Sequence, residues 1–378
     1  MALVLNEEED MLRDSARGFL AQKAPVSALR ALRDEGDTLG WSRTLWKEMA
    51  QMGWTGILVP EEYGGIDFGM TGAGLIAQEM GRNLTASPFI ATAVMAVTAL
   101  RAGSDAQKRK YLPGIAAGDT IMALAVDEGI KHNPAQTALA AVPHGNGYRL
   151  NGAKGYIMEG CGADALIVAA RTSGEPGDEA GLSLFIVEKD AKGLSTERTV
   201  LLDSRNYAAA TFEDVDVPGD ALLGTLDEGW EVLEGALNAG RAALAAEVLG
   251  ASEQGFEMTM DYLKERKQFG THVGAFQGLQ HRAAHLYSEI ELVKSAVLSA
   301  LQSFATAPAM AGAAAALAKA KAGEVGILAA NEAVQMHGGI GMTDEYDIGL
   351  YMKRIRAAQE LLGDYGFHAD RLAALRGF

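Results

Sequence analysis

Residues 266 to 270 read RKQFG, which sets two cations, an amide, an aromatic ring and a glycine in five positions at the end of a long helical run. Arg266 offers a planar fork of N–H donors with Phe269 beside it, and the two positive charges together can hold a phosphate group. The structural alternative is a helix C-terminus carrying basic residues that suit its dipole, with a glycine stop. A second stretch, NEAVQMHGGIGMTDEY at 331 to 346, places Gln335 shortly before the pair Gly338 and Gly339. Paired glycines let a ligand lie against bare backbone.

The rest of the chain narrows the chemistry. A formal net charge of −16 over 378 residues opposes adventitious binding to nucleic acid or anionic lipid. The single cysteine, Cys161, excludes an internal disulfide framework and a thiolate-rich metal site; it suits a reducing compartment and reads as core packing. His281 and His285 are four apart but have no acidic or cysteine partner in sequence, so no metal site is expected. No Gly-x-Ser-x-Gly elbow supports a hydrolase. Acidic residues from Glu7 to Asp10 stand where a basic leader would be, which points to a cytoplasmic protein. The apolar run PFIATAVMAVTAL, Pro88 to Leu100, is short of the ~20 residues that span a bilayer; with Ser87 as cap and Pro88 in the first turn it predicts a buried helix.

Three blocks must position these residues. Residues 1–118 are helical in pattern, as in SRTLWKEMAQMGW, where Ser42 can cap and Leu45, Trp46, Met49 and Met52 form one apolar stripe. Residues 119–224 change period to short β-rich runs separated by Gly, Asn, Pro and Asp turns, which predicts an antiparallel sheet or small barrel. Residues 225–378 return to helices of unusual length. Trp230 to Arg266 contains no proline and can extend more than ~50 Å, and three further helices complete a bundle whose Ala- and Gly-rich faces allow close approach. The fold expected is mainly α with a central β domain. Neither a Rossmann nor a P-loop fingerprint is present, so a dinucleotide must be held in another way.

Four motifs in this order resemble the acyl-CoA dehydrogenase family: LNGAKGYIMEG at 150 to 160, TFEDVDVPGDALLG at 211 to 224, YLKERKQFG at 262 to 270 with FQGLQHRAA at 276 to 284, and NEAVQMHGGIGMTDEY. The resemblance covers nearly the whole chain. It implies an FAD-dependent enzyme that removes two hydrogens from an acyl-CoA substrate and passes electrons to an acceptor flavoprotein. It also implies that Arg266, Gln268, Phe269, Gln277, Gln335, His337, Gly338 and Gly339 hold the ADP half of an FAD whose flavin sits in the neighbouring subunit. Tyr156 and Ile157 fall at the flavin-ring segment. There Met158 replaces the family's threonine, and in AVDEGIKHNPAQ Asp127 replaces another, with Glu128 retained.

The family's catalytic glutamate has two known positions, which fall at or beside Gly363 in LLGDYGF and at Gly240 before Arg241. Neither holds a glutamate. Glu247, in the apolar context AALAAEVLG, is the substitute on the long helix, with a pKa raised toward general-base values; the competing expectation pairs it with a neighbouring helix. Asp364 is expected to cap the terminal helix. The run KRIRAAQELLGDYGFHADRLA resembles the small-subunit branch of heteromeric enzymes acting on dicarboxylyl-, steroid- or aromatic-derived CoA esters. This implies a heterotetramer with a second dehydrogenase-like subunit that supplies the base. The alternatives are a homotetramer using Glu247 and a non-catalytic scaffold of the same fold.

Overall fold

In the computed structural model, which describes residues 3–378, Asn6 opens the first helix with a capping box: its side chain accepts from Glu9 N, and Glu9 accepts from the Asn6 amide. Helices α1 (Glu7–Lys23), α2 (Val26–Asp34), α3 (Arg43–Gln51) and α4 (Met70–Asn83) follow. Ser42 caps α3 and the stripe residues Trp46 and Met49 are buried, while Met52 falls beyond the last turn and is exposed. The apolar run after Pro88 is buried as expected but does not begin as an ordinary helix. Residues Phe89–Ala96 wind as a π-helix before α5 (Val97–Leu100), and α6 (Asp105–Ala116) follows.

The sheet strands are β1 (Met122–Ala125), β2 (Ala140–His144), β3 (Gly147–Met158), β4 (Ala165–Arg171), β5 (Leu182–Glu188), β6 (Leu194–Val200), β7 (Asn206–Pro218) and β8 (Leu222–Leu223). They lie in the order β6-β7-β3-β2-β4-β5-β8, with β1 against β4. Most neighbours are antiparallel, but β1 runs parallel to β4 and β2 meets β4 in a parallel bridge, so the sheet is mixed rather than purely antiparallel. Strand β1 comes straight from α6 rather than from a hairpin, and nothing local forces it antiparallel. The β3–β7 register slips between Lys154 and Ile157, and Tyr156 there takes a positive φ of 50°.

The remaining elements are α7 (Gly229–Glu265), the short strands β9 (Lys267–Gln268) and β10 (Thr271–His272), α8 (Gln277–Thr306), α9 (Pro308–His337), α10 (Ile348–Glu360) and α11 (Tyr365–Leu375). With 37 residues, α7 is about 55 Å long. Packing sorts the chain into two compact units that cut across sequence order: residues 1–31, 70–85 and 241–378 form one, and residues 32–69 and 86–240 form the other.

The first unit depends on glycines where helices cross. A Cβ on Gly81 of α4 would stand 1.9 Å from the Glu247 carbonyl oxygen, and one on Gly250 of α7 would stand 1.8 Å from that of Gln78. The α4 and α7 backbones therefore touch, a packing open only to glycine at both positions. In the second unit Cys161 departs from the expected core role. It is half-buried with Sγ 3.8 Å from the Tyr207 carbonyl, and burial raises its thiol pKa. Among the described residues no helix is long and apolar enough to cross a membrane.

Candidate functional site

At the end of α7 the chain makes a two-stranded hairpin. Arg266 N donates to Tyr262 O and Arg266 O accepts from Val273 N, both at 2.8 Å, while β9 and β10 pair His272 with Lys267 and Thr271 with Gln268. The turn is Phe269-Gly270, with φ of 54° and 80°. A type I′ hairpin turn requires this sign at both positions, which suits the glycine but strains the phenylalanine. The strained residue is also in the open: Phe269 is 91% exposed, with the Phe276 ring edge-on at 6.2 Å. Among the described residues neither Arg266 nor Lys267 forms an ion pair, and both are exposed with Gln268 and Gln277. Cations left free of carboxylates are available to an anion.

The glycine pair forms the second half. Gly338 ends α9 with φ 65° and donates its N–H to the Gln335 and Val334 carbonyls. A Cβ on either Gly338 or Gly339 would meet nothing within 4 Å, so both present open backbone, and Gln335 is exposed just before them. His337 is the exception. Expected among the cofactor-binding residues, it is only 2% exposed, so its ring cannot reach a ligand on the surface. It packs instead in a three-ring cluster, with centroids 4.5 Å from Tyr262 and 4.7 Å from Tyr346, which themselves meet edge-on at 6.5 Å. Through Tyr262 it brings the end of α9 to the end of α7. The gathered set, exposed cations on one element and bare glycine backbone on the other, fits the diphosphate and ADP half of FAD.

The two base positions lack a carboxylate. Gly240 lies buried within α7. Gly363 has a φ of 104°, and a Cβ there would stand 2.4 Å from the Phe367 ring and 2.8 Å from His368 Nε2. A side chain there would strain the backbone and have to displace the Phe367 and His368 rings. Buried cations hold this turn: Lys319 Nζ donates to the carbonyls of Gln359 and Gly363 at 3.0 and 2.9 Å, and Arg241 Nε donates to that of Leu362 at 3.3 Å. Burial pushes the Lys319 pKa down to about 7. Asp364 caps α11 as expected, accepting from Phe367 N at 2.9 Å.

Glu247 sits in a different environment from the open apolar one that the sequence suggested. Both its oxygens accept from Arg354 of α10, at 2.9 and 2.8 Å, with the carboxylate 2% and the guanidinium 3% exposed. A two-pronged guanidinium bond holds a carboxylate as a fixed anion, the opposite of the solitary, proton-seeking acid expected of a base. The neighbouring-helix pairing is the reading this geometry supports.

The flavin-ring segments lie in the second unit. Ile157 is buried, so it offers no side chain to a ligand, whereas Tyr156 is exposed. Asp127, which stands where the family has a threonine, is engaged by His132 Nδ1 at 2.8 Å and by Asn133 N. Glu128 and Lys154 tie the 126–139 loop to β3. Glu128 accepts from the amides of Ala138 and Leu139 at 2.9 Å, and Lys154 Nζ donates to Glu128 at 2.7 Å and to Val126 O at 2.8 Å.

Burial pushes the Lys154 pKa down to about 8. Glu128→Ala is expected to lower stability by about 2–3 kcal/mol, because it strands two amides and a buried ammonium. The loss should shrink above pH 8. The lysine's folded value lies below its ordinary 10.5 and Glu128 opposes that fall, so once the pH has passed about 8 the folded ammonium that Glu128 offsets has lost its proton and only the stranded amides remain. Denaturant melts at pH 7 and 9.5 check this.

Sequence reasoning missed Arg354, Lys319 and the two tyrosines. For Lys319 a signal existed: a lysine inside AGAAAALAKAKAG must be buried or bridging if that face packs closely.

The geometry agrees with the comparisons. Residues 6–119 match the acyl-CoA dehydrogenase N-terminal domain and residues 227–374 the acyl-CoA dehydrogenase C-terminal domain. An acyl-CoA dehydrogenase of Bacillus subtilis is 32% identical over 363 residues, covering 94% of each chain. The mitochondrial long-chain specific acyl-CoA dehydrogenase of Sus scrofa is 33% identical over 91% of this chain and 81% of its own. Among solved structures, the Tcur3481-Tcur3483 steroid ACAD is 33% identical with a TM-score of 0.88 over 98% of both chains. Butyryl-CoA dehydrogenase from Megasphaera elsdenii is 25% identical, with a TM-score of 0.90 over 99% of both. With two family domains matched and relatives aligned over most of their length, the chain belongs to the acyl-CoA dehydrogenase family, FAD-dependent oxidoreductases of acyl-CoA thioesters.

Proposed function

We propose that this chain is the ADP-side subunit of a heteromeric, cytoplasmic acyl-CoA dehydrogenase, with the catalytic base supplied by a second dehydrogenase-like subunit. The observation that carries the reading is the closed turn at Gly363, where a side chain would collide with Phe367, together with the glycine at the alternative position 240. The reaction removes a proton from the acyl α-carbon and a hydride from the β-carbon, leaving an α,β-double bond conjugated with the thioester. Bound FAD supplies the acceptor for that hydride.

This chain's own contribution is to hold and orient. Arg266 and Lys267 neutralise the diphosphate, the Gly338-Gly339 backbone lets the cofactor chain approach, and Gln268, Gln277 and Gln335 offer amide hydrogen bonds. Phe269, exposed at the hairpin tip, is placed to be covered by the partner subunit. The two-component name of the similar steroid ACAD supports a mixed assembly. A homotetramer with Glu247 as base would require that carboxylate to leave Arg354, which costs about 3–5 kcal/mol before any proton is transferred. An electron-acceptor flavoprotein then reoxidises the assembled enzyme.

The cofactor assignment predicts that Arg266→Ala in the assembled complex weakens FAD binding about 10- to 100-fold, the range for one charge-assisted hydrogen bond. Fluorescence titration of stripped complex with FAD measures it. Unchanged affinity contradicts the role given to Arg266.

A further inference from the structure

We propose that His337 is a positioning residue that couples the two halves of the ADP cradle, and that it does so as the neutral imidazole. The inference rests on the cradle assigned above but adds a residue that touches no cofactor. Its ring packs on Tyr262 and on Tyr346, at 4.5 and 4.7 Å and tilted to both, and completes a triangle whose third side is the edge-on Tyr262–Tyr346 contact at 6.5 Å. Tyr262 is one turn before Arg266 on α7, and its carbonyl accepts the Arg266 amide. On the other side His337 directly precedes Gly338, and Gly341 folds back so closely that a Cβ there would lie 3.0 Å from His337 Cβ. One ring therefore fixes the helix end that carries the cation and the turn that carries the glycines.

The protonation state follows from the bonding. His337 Nδ1 lies 2.7 Å from the Ala333 carbonyl, to which it donates, while Nε2 is buried with no hydrogen-bond partner among the described residues. A protonated ring would bury a second N–H with no acceptor. Burial accordingly lowers the His337 pKa, against a smaller opposing effect of the Ala333 bond. The groups facing it are the Tyr262 phenol from α7 and the Tyr346 phenol from the segment before α10. Asp261, Glu265 and Asp347 reach the cluster by raising the pKa of Tyr346, whose own burial raises it most.

Two measurements on the full-length chain and one on the complex test the proposal. Amide hydrogen exchange should accelerate about tenfold at Arg266 and Val273 in His337→Ala, and much less in His337→Phe, which keeps a ring in the stack. Histidine NMR of the wild-type chain should show His337 titrating below its ordinary value of 6.5. In the co-purified complex His337→Ala should weaken FAD binding about tenfold at neutral pH, and wild-type affinity should fall on acidification while that of His337→Phe stays flat. Unchanged exchange in His337→Ala, or a normal His337 titration, would overturn the proposal. Faster exchange with unchanged FAD affinity would leave the coupling standing and refute the cradle assignment instead.

Discussion

Arg354→Met should destabilise the first unit by about 3–5 kcal/mol, because it removes the guanidinium that both oxygens of Glu247 accept from and leaves that carboxylate buried. Packing around the pair leaves little room for rescue by water. Glu247 follows directly on the face where α7 meets α4 backbone to backbone, and a Cβ on Gly326 of α9 would stand 2.8 Å from Val248 and 3.0 Å from Ile355. The double variant Glu247→Leu/Arg354→Met should recover most of the loss, since an apolar pair of similar size avoids burying either charge. Thermal melts of the three proteins measure this. Additive losses in the double variant would mean that the two side chains are not one unit. The same residue separates the two catalytic readings: in an active complex Glu247→Gln should keep near-normal turnover, whereas a loss of three or more orders of magnitude would restore Glu247 as base.

Much of the architecture was legible because it rests on local signals. The caps at Ser42 and Asp364, the change of period near residue 119 and the long uninterrupted run to Arg266 each require only neighbouring residues to be read. The π-helical winding after Pro88 and the parallel placement of β1 were not legible, since both follow from what packs against the segment. The residues expected to hold the cofactor were named from residue type and family spacing, but their burial was not legible. His337 is buried directly before the exposed glycine pair, and its partner Tyr262 is 75 positions away. Glu247 shows the same limit from the other side. An apolar sequence context reads as an isolated acid, while its counter-charge comes from a helix about a hundred residues later.

The account also explains why the flavin-side changes in sequence coexist with an ordered local structure. Met158 and Asp127 remove hydroxyls, yet Glu128 and Lys154 still hold the 126–139 loop against β3 with full hydrogen bonding. Under the heteromeric assignment proposed above, a loop that keeps these internal anchors maintains the fold while the chemistry of that pocket falls to the partner.

The direct test is to purify the chain alone and together with the product of a neighbouring dehydrogenase-like gene, then read flavin per chain from the visible spectrum and turnover with acyl-CoA thioesters. Alone, the chain should carry little flavin and turn over no thioester; together, the two should retain FAD at fewer than one per polypeptide and bleach on adding substrate. A single chain that purifies yellow, with one FAD per polypeptide and full turnover, would contradict a base supplied from outside.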